Sequence, residues 1–331
     1  MIDISTKFAG LNLKSPIIIG SSGLTNSIQY FKDFEANGAG AIVLKSLYEE
    51  EIIFKKDDYL KQAKKYGYDS KDTNYIYHKI KQENVNKYLQ LIKDAKNSVS
   101  IPIIASINCV TPNEWVNFTK KIQEAGADAI ELNIFFIPNR LNKKSQDIED
   151  SYIDIITKIR NKVDIPIIIK MSQYFTNLGN MIHRVSNTGV NGIVLFNKYY
   201  SPDIDINTKE ITVSNVFSRP SDIYVPLRWV ALTSGTVNCS IAASTGIHDG
   251  EALIKTIMAG ADAVEIVSTI YKNGIKQIKE MNNTLIEFLK YRNLNSIKQI
   301  KGQANQINSN DSAVLERVQF MRYFSDNNDI I

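Results

Sequence analysis

Pro166-Ile-Ile-Ile-Lys170 is a short apolar run opened by proline and closed by lysine, and seven similar runs recur along the chain. They are Pro16-Ile-Ile-Ile-Gly20, Ala41-Ile-Val-Leu-Lys45, Pro102-Ile-Ile-Ala-Ser106, Ala129-Ile-Glu-Leu-Asn133, Gly192-Ile-Val-Leu-Phe-Asn197, Ser240-Ile-Ala-Ala-Ser244 and Ala263-Val-Glu-Ile-Val-Ser268. Near-continuous runs rich in Ile and Val suit parallel strands buried on both faces. Each is followed by a helix-length stretch. Eight such units predict an α/β fold, a closed (β/α)₈ TIM barrel, in which the chemistry sits where the strands end. There these runs finish in Lys, Asn, Ser and Thr.

Punctuation supports the count. Strands one, three and five open with Pro16, Pro102 and Pro166, where no ladder donor is needed. Strands two, four, six and eight follow Gly38, Gly126, Gly189 and Gly260, each placed to cap the preceding helix in a left-handed conformation. Strand seven, entered through Val237-Asn-Cys-Ser240, breaks the alternation.

The chain has 331 residues, more than the roughly 250 of a minimal barrel. The excess predicts insertions on one domain rather than a second domain. Residues 1–13 alternate around Gly10 and read as an N-terminal hairpin covering the barrel floor. Residues 48–83, after strand two, and 198–226, after strand six, are long excursions on the active face. Residues 293–331 form a tail whose Ala313–Phe324 stretch reads as a helix, able to dock on the barrel or on a second copy in a homodimer. Helical spacing is plain in Val85, Tyr88, Leu89, Ile92 and Ala95, in Trp115, Phe118 and Ile122, and in Ile275, Ile278, Leu285, Phe288 and Leu289. Thr111-Pro112-Asn113 reads as the start of the third helix.

With 39 basic and 35 acidic residues, the lysines scattered, the chain lacks the clustered charge of a nucleic-acid face. Cys109 and Cys239 are too few for a disulfide framework, which favours a reducing compartment. No apolar run approaches a membrane span and no secretory pattern opens the chain, so the expectation is a cytoplasmic protein with a small-molecule substrate. His78, His183 and His248 stand apart from one another and predict no metal site.

The strand ends carry the chemistry. Ser244-Thr-Gly246 and Ser268-Thr269 place small hydroxyl residues and free backbone N–H groups where barrels commonly hold a phosphate. Lys45 and Lys170 close strands two and five, and a lysine there needs an anionic partner. Asn133 and Asn197 add oriented amides, and Ser21, Ser22, Ser106, Ser244, Ser268 and Thr269 add hydroxyls. The set suits a flat polar ring with a phosphate.

Taken in order, Ser21-Ser-Gly23, Leu44-Lys-Ser46, Glu131-Leu-Asn133 with Pro138-Asn139, Ile169-Lys170, Ser244-Thr-Gly246 and Ser268-Thr269 resemble the dihydroorotate dehydrogenase family. The resemblance runs from about residue 4 to 290 and looks like the soluble branch. It implies an FMN-dependent oxidoreductase that oxidises dihydroorotate to orotate in pyrimidine biosynthesis, or acts on a related CH–CH or C=C substrate. It implies further that Lys45 lies near the flavin, that Asn133 and Lys170 contact its ring or ribityl chain, and that strands seven and eight hold its phosphate. Ser21, Ser22, Gly23, Ser46 and Asn197 complete the cofactor set, and Asn133, Asn139 and Asn197 would hold substrate.

Two departures stand beside it. The family carries a Cys or Ser general base immediately before Pro-Asn; here the segment is Ile134-Phe-Phe-Ile-Pro138, one residue longer and without an ionisable group. The family's substrate loop after strand two and its glycine pair after strand six are also missing. Cys109, at the end of strand three, is a candidate relocated base, with a buried inert thiol as the alternative. Two other functions fit the same residues: a Schiff-base aldolase using Lys45 or Lys170, and a flavin-binding relative without dihydroorotate turnover.

Overall fold

A computed structural model describes residues 2–65, 73–109, 112–139, 141–309 and 312–316. Eight parallel strands close on themselves: β1 (Ile17–Ile19), β2 (Ala41–Val43), β3 (Ile103–Asn108), β4 (Ala129–Asn133), β5 (Ile167–Met171), β6 (Gly192–Leu195), β7 (Ser240–Ser244) and β8 (Ala263–Ile266). Each pairs with the next, and β8 returns to β1 through Glu265 opposite Ile18. Helices separate the strands on the outside, so the (β/α)₈ barrel read from the sequence is the architecture present. The four glycines preceding β2, β4, β6 and β8 all have positive φ, as helix-ending caps require.

Side-chain alternation divides the core in two. One set of strand residues packs outward on the helices, where Tyr88, Ile92, Trp115, Phe118, Tyr152 and Leu285 are buried with them. The other set points into the barrel. Its lower layers are apolar: Ile18, Ala41, Val43, Ile104, Ala129, Ile168, Val194, Ala242 and Ala263 pack together. The N-terminal hairpin, Thr6–Phe8 against Leu11–Leu13, closes this end by burying Phe8, Ala9 and Leu13 in the same cluster. A Cβ on Gly192 would lie 3.1 Å from both the Ala9 Cβ and the Phe8 ring, so the hairpin approaches the barrel as closely as glycine permits.

The excursion after β2 is largely helical. Leu47–Tyr48 adds a two-residue parallel strand beside β3, and a helix spans Glu49–Lys65 before the Thr73–Ser98 helix. Glu49, Glu50 and Glu51 in its first turn and Lys64 and Lys65 in its last match the helix dipole. Its surface is too charged for an apolar stripe to reveal it in the sequence. The excursion after β6 is a hairpin, Pro202–Ile204 against Ile211–Val213, that leads through a short 3₁₀ turn into the Tyr224–Thr233 helix. The third helix begins at Pro112, while Thr111 lies outside the described residues. Of the tail, 312–315 is a 3₁₀ turn; residues 317–324 of the expected Ala313–Phe324 helix lie outside the described residues.

Candidate active site

Above the apolar layers the inward positions turn polar. Ser106 sits opposite Glu131 in the sheet, Asn133 opposite Lys170, and Ser244 opposite Glu265. Glu131, Lys170 and Glu265 are all buried. Lys170 Nζ donates to Glu265 Oε2 at 2.5 Å and lies 3.7 Å from Glu131 Oε1. Burial alone would lower the lysine's pKa, but the two carboxyl groups more than offset it and hold it above its ordinary value. Glu131 moves the same way: burial, then the charge of Glu265, raises its pKa well above the usual carboxylate range, and Lys170 opposes them.

Lys170, Ser244 and Glu265 of this layer line a 570 Å³ cavity at the strand C-terminal ends, within the roughly 300–1,000 Å³ of small-molecule sites. Ser21, Ser22 and Gly23 line it from β1, and Ser244, Thr245 and Gly246 from β7. Lys170, Asn197, Glu265 and Ser268 complete the strand-end ring. Thr245 and Gly246 both have positive φ, and a Cβ at Gly246 would meet Ile223 N at 2.1 Å. The turn after β7 therefore needs glycine for its conformation and for its approach to the 3₁₀ turn. Asn197 Nδ2 donates to Asn133 Oδ1 at 2.8 Å, which fixes both amides.

The end of the second excursion straps onto this site. Ser218 N–H donates to Ser268 Oγ at 2.9 Å, Ser218 Oγ meets His248 Nε2 at 2.9 Å, and Lys272 Nζ donates to Ser218 O at 2.7 Å. Thr269 is buried and donates to His248 O at 2.8 Å, so its hydroxyl supports the turn from behind. Burial, then the Lys272 charge, lowers the His248 pKa. Phe217 packs on Tyr271 with ring centroids 5.1 Å apart, and both face the cavity.

Six expected site residues do not line this cavity: Asn133, which accepts from Asn197, Thr269, which donates to His248 O, and Lys45, Ser46, Cys109 and Asn139. Lys45 turns to Glu51 on the Glu49–Lys65 helix at 2.6 Å and does not line the cavity. Ser46 is buried behind Ser21. Cys109 is buried outside the cavity, and burial, then Glu49 and Glu114, pushes its thiol far above the ordinary range. Asn139 lines a separate 530 Å³ cavity with Phe135, Phe136 and Lys143. Phe135 belongs to both cavities and stacks on Tyr199 at 3.9 Å, giving the first an aromatic wall on which Phe135 itself cannot accept a proton. Glu131 and Glu265 are the functional groups that motif reading missed. Their signal was a carboxylate at an inward position of an Ile/Val strand.

The mouth of this barrel combines a lysine, an amide and hydroxyl-lined turns at the strand ends, the face on which (β/α)₈ barrels carry their sites. The dihydroorotate dehydrogenase family model matches residues 3–289, all eight strands included, and the chain belongs to that family. It is similar to the dihydroorotate dehydrogenase B (NAD(+)) catalytic subunit of Thermoplasma volcanium, 29% identical over 319 residues that cover 92% of this chain and 99% of the relative. The proteins of the same name from Methanocaldococcus jannaschii and Brachyspira hyodysenteriae are each 28% identical, covering 92% of this chain and 98% and 100% of the relatives. Among the described residues, no helix is long and apolar enough to cross a membrane, and no three His, Cys, Asp or Glu side chains group to hold a metal ion.

Proposed function

We propose that this protein is an FMN-dependent oxidoreductase acting on the CH–CH or C=C bond of a flat ring, with dihydroorotate as the first candidate substrate. The observation that carries the reading is Lys170, held cationic in the wall of a cavity whose rim is built of hydroxyl and glycine turns. Ser22 Oγ adds support: it is buried in that rim without a partner among the described residues, as a group awaiting a ligand would be. The residues present therefore fit FMN. The Ser244–Gly246 and Ser268 turns would hold its phosphate, Lys170 would face its ring, and the Asn133–Asn197 pair would orient substrate. FMN, when bound, supplies two-electron chemistry that no side chain offers.

The aldolase alternative requires a neutral amine as nucleophile, whereas Glu131 and Glu265 keep Lys170 protonated. The Phe135–Tyr199 stack favours a second reading within the same class, in which the cavity takes a flatter or more apolar substrate than dihydroorotate. The relatives' name as catalytic subunits supports an assembly with another kind of subunit, beside the homodimer expected from the tail. A cytoplasmic location is part of the same proposal.

The test is the visible spectrum of the purified protein, followed by anaerobic addition of dihydroorotate. A yellow protein with one FMN per chain that bleaches with dihydroorotate is the expected result. A protein that stays flavin-free after incubation with FMN would overturn the reading. A flavin that bleaches only with another donor would select the second reading.

A further inference from the structure

Beneath the cavity, three serines form an unbroken chain of hydroxyls. Ser21 Oγ lies 3.2 Å from Ser46 Oγ, and Ser46 Oγ lies 2.7 Å from Ser106 Oγ. Ser106 Oγ in turn donates to Glu131 Oε1 at 3.2 Å. The first serine lines the cavity, while the other two and the carboxyl group are buried. These residues follow β1, follow β2, and sit within β3 and β4, so barrel closure alone aligns them.

We propose that Ser21, Ser46 and Ser106 relay a proton between the active-site cavity and Glu131, which stores it. This deepens the oxidoreductase reading and rests on it for the use of the proton: oxidation of a CH–CH bond releases one, and reduction of a C=C bond consumes one. Each hydroxyl has one hydrogen to give and lone pairs to receive. With Glu131 ionised, the bonds run Ser21 to Ser46 to Ser106 to carboxylate. With Glu131 protonated, all three reverse and the last donor points into the cavity. One proton enters Ser21 Oγ as another reaches Glu131, no heavy-atom bond changes, and net charge moves between the two ends.

The surroundings of Glu131 suit a store. Lys170 and Glu265 face it from β5 and β8, and form their own ion pair at 2.5 Å, which leaves little net positive field to force Glu131 to ionise. Tyr88 faces it from the Thr73–Ser98 helix, but its hydroxyl is committed to the Ser106 backbone, accepting from N–H and donating to O, each at 2.8 Å. Tyr48 faces it from the short strand after β2, and burial raises its pKa. Glu131 Oε2 has no partner among the described residues. Phe135 itself offers a proton no acceptor, and the relay supplies a route past it.

The test reads the carboxylic-acid C=O stretch of Glu131 by infrared spectroscopy on protein without flavin, assigned by its loss in Glu131→Gln. Transfer to D₂O shifts the band as the acid exchanges. Wild type and Ser46→Thr, which keeps the hydroxyl, should exchange within the mixing time. Ser46→Ala and the milder cavity-edge variant Ser21→Ala should slow exchange at least tenfold with unchanged circular dichroism. Equal rates in wild type and both alanine variants would overturn the relay, as would a spectrum with no band lost in Glu131→Gln. Because flavin is not needed for the exchange, an absent flavin signal would count against the oxidoreductase reading alone.

Discussion

Replacing Lys170 with Met tests the buried charge layer directly. Met keeps the length of the side chain and leaves no large cavity, so the change isolates the charge. Lys170 is 7% exposed, and Glu131 and Glu265 are 0% and 3% exposed, so solvent cannot replace the lost ammonium group. Removing one partner of such a pair costs about 3–5 kcal/mol. The cost falls on the two buried carboxyl groups together: burial and Glu265 already raise the Glu131 pKa and Lys170 lowers it, so losing the ammonium raises it further. A carboxyl whose folded pKa is raised loses stability as pH climbs above its unfolded value, near 4.3, at about 1.4 kcal/mol per unit. Lowering the pH from about 7.5 to 5.5 should therefore recover up to about 2.7 kcal/mol in the variant. Urea unfolding followed by circular dichroism at both pH values measures this, and adding Glu265→Gln should recover at least half of the loss at the higher pH. A loss below about 1 kcal/mol, or one that neither low pH nor Glu265→Gln relieves, would show that the carboxyl groups are solvated and the layer is not a coupled unit.

Phe135→Cys places a thiol on the mouth wall; if dihydroorotate is the substrate, its oxidation should speed up at least about tenfold, toward the 10²–10⁴ typical of a general base. An unchanged rate with flavin still bound would show that this wall is not where the proton leaves. Gly246→Ala forces a Cβ to within 2.1 Å of Ile223 N at positive φ, and should weaken FMN binding more than tenfold by fluorescence titration; unaltered affinity would remove the β7 turn from the phosphate site. Cys109 should resist thiol reagents in the folded protein and react fully in urea, because burial holds its thiol protonated. Rapid labelling of native Cys109, mapped by mass spectrometry, would restore it as a candidate base.

The strand runs and their proline and glycine punctuation made the barrel legible, because a doubly covered parallel strand has few other sequences open to it. The turns after β7 and β8 were legible for the same local reason. Lys45 and Lys170 looked alike in sequence, each closing an Ile/Val run, yet they part company in space. β2 ends at Val43, and the chain turns toward a helix whose Glu51 captures Lys45. β5 continues to Met171 and keeps Lys170 inside. That difference depends on where a strand stops pairing, which no single residue announces. Glu131 and Glu265 were readable in principle, since they share the inward alternation of Ala129 and Ala263. Their effect on Lys170 required knowing that three strands spread over more than a hundred residues converge. Asn139 follows the expected motif, but the extra residue before Pro138 accompanies its displacement into the neighbouring cavity.

The hairpin that buries Phe8, Ala9 and Leu13 makes the barrel a blind shaft. Nothing can pass through it, so whatever enters at the strand ends must back out by the same doorway. The plug at one end thus sets the direction of approach for every ligand the barrel takes: contact with solvent or with a second molecule is made from the strand-end face.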